Sequence, residues 1–269
     1  MQQKEIEEII RHFFIQLQQI LSRIEKKIGR EDLHNFRVEI KKLRAFLRLL
    51  NLELKEQRNQ KIPHQLKKIY SLAGKIREVQ LHLRKINKHY KDEKKPQQYI
   101  DLLENEKAKW KIKLQTVLKD LQLPKEEEEL KRKMPIEIRQ ETVTNFFQQK
   151  ISSIHSLLSA KRINDEGLHS IRKYLKDIIY VTQILEDAET PMGNLLWTEN
   201  EIKNAEEIAH ELGLINDVRI SLSFGKQAYL NKINVEERNG VGQTITQWKK
   251  EKTEMKKNII GKLRNSQFN

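Results

Sequence analysis

The sequence has no cysteine, 5 prolines and 9 glycines among its 269 residues, and only 6% of the residues are aromatic. The absence of cysteine excludes disulfides, thiol nucleophiles and cysteine-ligated metal sites. Few prolines and glycines, together with abundant Lys, Glu, Gln, Leu and Ile, favour long helices and almost no sheet. No apolar run approaches the length of a membrane span and no signal-peptide core is present, so we expect a cytoplasmic protein without a membrane partner.

Basic residues outnumber acidic ones, and the formal net charge is +14 at pH 7. An excess of this size indicates a polyanionic partner such as nucleic acid, acidic lipid or a phosphate polymer. Net charge alone does not distinguish these partners. The positions of the charges along the chain are more informative.

Residues 32–50 carry two neighbouring stripes at helical spacing. The apolar stripe consists of Leu33, Phe36, Ile40, Leu43, Leu47 and Leu50, and the basic stripe consists of His34, Arg37, Lys41, Arg44 and Arg48. The two stripes are displaced by one residue, about 100° of rotation, so the basic stripe flanks the buried face. The basic stripe spans about 21 Å of helix and contains no acidic residue. The simpler interpretation is that these side chains only lie along the edge of the core with their charges in water.

Apolar periodicity predicts eight helices. They cover about 3–28, 31–57, a third helix from Pro63, 97–121, 142–162, 166–188, 198–230, and a last helix that follows Gly240 and Gly242 and ends near 263. Residues 124–138 contain two prolines and blocks of like charge, which predicts a solvated linker. The domain prediction is therefore a four-helix unit at 1–123, a charged linker at 124–138 and a second four-helix unit at 139–269.

The two halves of the chain resemble one another. An offset of 135 residues aligns L-H-N-F-R-V-E-I-K at 33–41 with L-H-S-I-R-K-Y-L-K at 168–176, so His34, Arg37 and Lys41 meet His169, Arg172 and Lys176. An offset of 139 aligns A-G-K-I-R-E-V-Q at 73–80 with L-G-L-I-N-D-V-R at 212–219. We therefore predict an all-α fold of two four-helix bundles with long antiparallel helices, related by a pseudo-twofold internal repeat. Symmetry of this kind would place the two basic helices opposite one another across a groove.

These motifs resemble the CHAD family, the conserved-histidine α-helical domain. The resemblance rests on L-H-N-F-R-V-E-I-K-K-L-R, on L-H-S-I-R-K-Y-L-K-D-I-I-Y and on L-G-L-I-N-D-V, and it extends over essentially the whole chain. It implies a helical domain with internal symmetry that binds inorganic polyphosphate, without catalysis, in a basic central groove. Association with polyphosphate granules is one role that such binding would serve.

The resemblance also implies which residues contact phosphate. They are His34, Arg37, Lys41 and Arg44 of the first half, His169, Arg172 and Lys176 of the second half, and Arg77 in R-E-V-Q, to which we add Arg48 from the basic stripe. The second copy departs from the pattern, because Ile179 stands where an arginine is usual and Gln183 aligns with Arg48. We therefore expect the helix at 32–50 to supply most of the binding energy.

Two other functions remain open at this stage. A nucleic-acid binder would suit the charge, but no aromatic residue is interleaved with the basic stripe for base stacking and no helix-turn-helix or zinc-finger spacing is present. An enzyme is the less favoured alternative, because the eight histidines form no H-x-x-x-H or H-E-x-x-H spacing and there is no P-loop or G-x-S-x-G. We expect no cofactor and no metal, and the oligomeric state is left open.

Overall fold

The computed structural model of the chain describes residues 1–54, 59–91, 94–190 and 197–266. Within these residues the structure contains ten helices and no strand, which confirms the all-α prediction. The helices are α1 (Gln3–Lys26), α2 (Arg30–Glu53), α3 (His64–His89), α4 (Gln97–Lys119), α5 (Leu123–Lys131), α6 (Gln140–Leu158), α7 (Asp165–Asp187), α8 (Glu199–Ser223), α9 (Gln227–Leu230) and α10 (Val235–Asn265). No helix in these ranges is long and apolar enough to cross a membrane.

The starts of α7 and α8 show how the local sequence defines helix ends. Thr198 and Glu201 form a capping box at the start of α8, with the Thr198 hydroxyl accepting from the Glu201 amide and the Glu201 carboxylate accepting from the Thr198 amide. For α7 the cap is Asn164, whose side-chain oxygen accepts from the Gly167 amide at 2.7 Å. The neighbouring Asp165 is the first residue of the helix and binds two lysines of α10.

Residues 124–138, predicted as a solvated linker, contain most of α5 and are packed against the protein. Leu130 is 3% exposed and belongs to the main core, and Met134 and Ile138 are also buried. The acidic run is balanced locally, because Glu127 pairs with Lys131 and Glu128 with Arg132, each four residues along the helix. Ion pairs at this spacing stabilise a short helix, so the blocks of charge that resembled a linker instead form one face of α5.

The second half contains two further departures from the predicted boundaries. The seventh predicted helix, which covered about 198–230, is divided into α8 and the short α9. The last helix begins at Val235, capped by the Asn234 side chain, so Gly240 and Gly242 lie inside α10. The cap at Asn234, followed by two acidic residues in the first turn, is a stronger start signal than the glycines.

The central helices α2 and α7 pack directly against one another, and α3 packs against α8. Outside them the halves follow the same order of contacts, with α1 on α2 and α3 on α4 in the first, and α6 on α7 and α8 on α10 in the second. All six residues of the predicted apolar stripe on α2 are buried, and they share one continuous core with residues of α7 such as Ile178. The predicted units therefore pack as one body, and the internal repeat itself stays a prediction.

Candidate anion-binding site

A cavity of about 310 Å³ opens between the two central helices, and we call it the α2–α7 cleft. It is lined by Lys41, Arg44 and Arg48 of α2, Tyr70 of α3, and His169, Arg172, Lys173, Lys176, Asp177 and Tyr180 of α7. Six of the nine residues predicted to contact phosphate therefore line one cavity, although they come from opposite halves of the sequence. The other three, His34, Arg37 and Arg77, do not line it.

Tyr70 holds two arginines of α2 in place. The guanidinium carbons of Arg37 and Arg44 lie 4.3 Å and 4.2 Å from the centroid of the Tyr70 ring, which is cation–π distance. Arg37 Nη1 also donates to the Tyr70 carbonyl at 2.9 Å. These contacts fix the direction of both side chains while leaving other guanidinium nitrogens free of hydrogen bonds to Tyr70. Arg37 is thereby attached to α3 beside the cleft rather than extended into solvent.

Arg172 of α7 is held in a related way by α8. Its Nε donates to the Ala209 carbonyl at 3.2 Å, and its guanidinium lies beside Gly213. An arginine that already has one nitrogen bonded to a helix carbonyl loses less side-chain entropy when its remaining nitrogens bind an anion. The arrangement therefore preorganises Arg172 for binding.

Arg48 and Asp177 form an ion pair across α2 and α7. Arg48 Nη1 donates to Asp177 Oδ1 at 2.6 Å, and Lys150 Nζ lies 3.4 Å from Asp177 Oδ2. The Asp177 side chain is 8% exposed, whereas the Arg48 side chain is 40% exposed. The predicted phosphate ligand Arg48 is therefore also a structural residue, and Asp177 reduces the positive charge of the cleft.

Lys41 is the cation of the cleft whose pKa is lowered most. Burial, together with the nearby Arg172, Arg37 and Lys176, lowers the pKa of Lys41 to about 8, while Asp217 acts in the opposite direction. The pKa of Lys176 is lowered as well, first by burial and then by Arg172, with Glu206 opposing the shift. A cation whose charged form is disfavoured by its surroundings is stabilised when an anion binds.

The two motif histidines, His34 and His169, are exposed. Partial burial and neighbouring cations lower the pKa of both rings, mainly Arg77 and Lys41 at His34 and Arg219 and Lys173 at His169. Both imidazoles are therefore neutral at pH 7, and each can donate one N–H to an anion. Because both rings are exposed, neither is a buried structural histidine.

Arg77 contributes less directly than the sequence suggested. Its Nη1 is buried and has no hydrogen-bond partner in the part of the chain that the structure describes. Burial lowers the pKa of Arg77, and Arg30 lowers it further, while Asp217 opposes the shift. Arg77 thus increases the positive potential at His34, but it does not line the cleft.

Sequence reasoning missed three residues of this region: Tyr70, Lys173 and Asp217. Lys173 aligns with Val38 of the first copy, so the comparison of the two halves did not select it. Asp217 aligns with Glu78, and this pair of acids at matched positions was a usable signal. Burial raises the pKa of Asp217, while Arg172, Arg77 and Lys41 lower it, so its carboxylate is placed among the site's cations. Tyr70 carried no signal, because a single tyrosine on a helix is usually a packing residue.

Metal ligands are not assembled near these cations. Within the described ranges no group of three or more His, Cys, Asp or Glu residues is placed to hold a metal ion. The acidic residue that lines the cleft, Asp177, is already bound by Arg48 and Lys150. The geometry is that of a cationic cleft suited to an anion.

The fold and the site define an all-helical protein with cations collected between its two central helices. The family model of the CHAD domain matches residues 8–224, which is most of the chain, and the protein belongs to the CHAD domain family. The crystal structure of the CHAD domain from the plant Ricinus communis is similar, with a TM-score of 0.70 over 98% of this chain and 92% of that chain. The two sequences are 13% identical, so this likeness concerns the fold alone. No curated protein matches the sequence.

Proposed function

We propose that the protein binds inorganic polyphosphate, without catalysis, in the α2–α7 cleft. The observation that carries the proposal is the convergence of Lys41, Arg44, Arg172, Lys173 and Lys176 on one cavity. Membership in the CHAD domain family supports the choice of ligand. The lowered pKa of Lys41 supports it too: burial is the main cause, and the nearby Arg172, Arg37 and Lys176 add to the shift while Asp217 opposes it.

Polyphosphate has one negative charge on each internal phosphate, so it needs cations distributed along a path rather than at one point. The arginines offer paired N–H groups to phosphate oxygens, and the lysines act as mobile point charges. Because Tyr70 and helix carbonyls already orient Arg37, Arg44 and Arg172, binding orders fewer side chains. Each charge-assisted hydrogen bond contributes about 1.5–3 kcal/mol.

We assign no bond-breaking step to this site. Asp177, the acid that lines the cleft, is bound by Arg48 and Lys150 and is not free to act as a general base or as a metal ligand. We propose that the functional output of the protein is the binding itself.

The test is a titration of long-chain polyphosphate, ATP and duplex DNA at several salt concentrations. The Arg37→Ala/Lys41→Ala variant should bind polyphosphate at least about 10-fold more weakly than the wild type, because it removes a lysine that lines the cleft and the arginine held beside it. The Lys109→Ala/Lys119→Ala variant is the matched control, since it removes the same charge from exposed positions of α4 away from the cleft. Affinity should also fall with salt through counterion release.

Two results would overturn the proposal. Equal affinity for duplex DNA and polyphosphate at matched salt would favour the nucleic-acid alternative, in which the cations contact a phosphate backbone. An equal loss in the α4 control and the cleft variant would mean that binding follows net charge rather than this cavity.

A further inference from the structure

Two helix glycines lie beside the arginines assigned to phosphate binding, but the space beside them differs. An alanine Cβ at the buried Gly74 of α3 would lie 2.5 Å from Arg37 Nη1, which is an overlap. An alanine Cβ at Gly213 of α8 would lie 3.4 Å from Arg172 Nε, which is ordinary contact. Only the position of Arg37 therefore requires a neighbouring residue without a side chain.

The two arginines use equivalent backbone acceptors but different donor nitrogens, Nη1 in Arg37 and Nε in Arg172. Arg37 donates to the carbonyl of Tyr70 and Arg172 to the carbonyl of Ala209, and each acceptor stands four residues before the neighbouring glycine. In an α-helix that carbonyl already accepts from the amide of the glycine, and its second lone pair is open to another donor. Without a Cβ at position 74, the Arg37 guanidinium can reach this lone pair.

We infer that Gly74 is a positioning residue that fixes Arg37 for polyphosphate binding. The inference rests on the proposed function and deepens it. The Arg37 guanidinium lies at hydrogen-bond distance from the Tyr70 carbonyl and above its ring, and Gly74 is the space that permits both contacts. Glycine inside a helix is less favourable than alanine. At Gly74 the space is used by a side chain from another helix, which offsets that disadvantage.

The two glycines provide a matched experiment. Gly74→Ala should weaken polyphosphate binding about three- to tenfold, because the guanidinium is displaced from its acceptor. The melting temperature should stay within about 3 °C of the wild type, since alanine improves the helix while the Arg37 contacts are lost. Gly213→Ala gains the same helix propensity and should leave affinity unchanged. Wild-type affinity in Gly74→Ala, or an equal loss in Gly213→Ala, would overturn the inference.

A double-mutant cycle separates positioning from a general packing defect. In an Arg37→Ala background, Gly74→Ala should have no further effect on affinity, because the side chain that it displaces is absent. Equal losses in both backgrounds would contradict the inference.

A crystal structure without ligand tests the role of Gly74 independently of polyphosphate binding. A crystal structure of Gly74→Ala should show Arg37 moved off the Tyr70 carbonyl, and an unmoved Arg37 would reject the positioning role. If the wild type instead fails to bind polyphosphate, the proposed function fails, and the position of Arg37 in that crystal still decides what Gly74 does.

Discussion

Arg48 of α2 and Asp177 of α7 are joined by a 2.6 Å hydrogen bond between Nη1 and Oδ1. The pair links the helices that carry the two copies of the basic motif, and Lys150 approaches the second carboxylate oxygen at 3.4 Å. A buried acid among cations stabilises the unliganded protein, but it also competes with any anion that enters the cleft. A change at Asp177 should therefore alter both the stability of the fold and the affinity for polyphosphate.

Asp177→Asn should tighten polyphosphate binding about three- to tenfold, because it removes a negative charge from the cleft and releases Arg48 and Lys150. It should also lower the free energy of unfolding by about 1–3 kcal/mol, because two partly buried cations lose their partner. Isothermal titration and urea denaturation measure the two effects.

Asp165→Asn is the control for this prediction. Asp165 also binds two lysines, Lys252 and Lys256, but it does not line the cleft. The control should lose stability with little change in affinity. Weaker polyphosphate binding by Asp177→Asn would show that Asp177 organises the cations more than it competes with the ligand.

Polyphosphate affinity should decrease as the pH rises from 7 to 9.5. Lys41 has a pKa lowered to about 8, so it carries a charge below this pH and loses it above. A bound anion favours the charged form, so binding above pH 8 requires uptake of a proton and weakens by up to about tenfold per pH unit. Lys41→Arg should flatten the pH profile, since arginine stays protonated throughout this range. If the pH profiles of affinity for the wild type and Lys41→Arg superimpose, Lys41 is not the titrating group.

Lys173→Ala should weaken polyphosphate binding about threefold to tenfold although Lys173 lies outside the aligned motif positions. The side chain lines the cleft, so its removal takes away a charge next to the ligand. Lys161→Ala is a suitable control, because Lys161 is exposed and does not line the cleft. Equal affinities for the two variants would show that Lys173 does not contribute to binding.

The stability of the fold should decrease in acid because of His82. This histidine of α3 is fully buried against Phe224 and against Trp248 of α10, and its Nε2 lies 2.7 Å from the Tyr99 hydroxyl of α4. Tyr99 itself donates to the Phe224 carbonyl, so His82 donates from Nε2, and its buried Nδ1 has no partner in the described ranges. Burial lowers the pKa of His82 to about 3, with a smaller effect from Lys85.

The direction of this pH effect follows from the pKa of His82 in the unfolded and in the folded chain. The unfolded chain binds a proton near pH 6.5 and the folded chain only near pH 3, so stability falls as the pH decreases between these values. The slope is about 1.4 kcal/mol per pH unit. His82→Gln should be less stable than the wild type at pH 7.5, and the difference should shrink by pH 4.5. A constant difference in urea denaturation across this range would contradict the prediction.

Local sequence patterns were sufficient to predict the buried face of α2 and most of the residues that line the cleft. The spacing of Leu33, Phe36 and Ile40 determined which face of α2 is buried, because helical periodicity is a property of neighbouring residues. The match between the two L-H-x-x-R-x-x-x-K motifs selected Lys41 and Lys176 before their helices could be placed together. Segment 124–138 was harder to interpret, because the charges that suggest a linker also form ion pairs along one turn of a helix.

The way in which these residues combine depends on the packing of separate helices. That α2 packs on α7, that Arg48 meets Asp177 and that Arg37 fits beside Gly74 depend on how the side chains of separate helices fill space. Periodicity records which face of a helix is buried, but it does not record which helix covers that face. The cleft was therefore predictable as a set of cations, whereas its shape, its internal acid and the fixed direction of Arg37 required the packed structure.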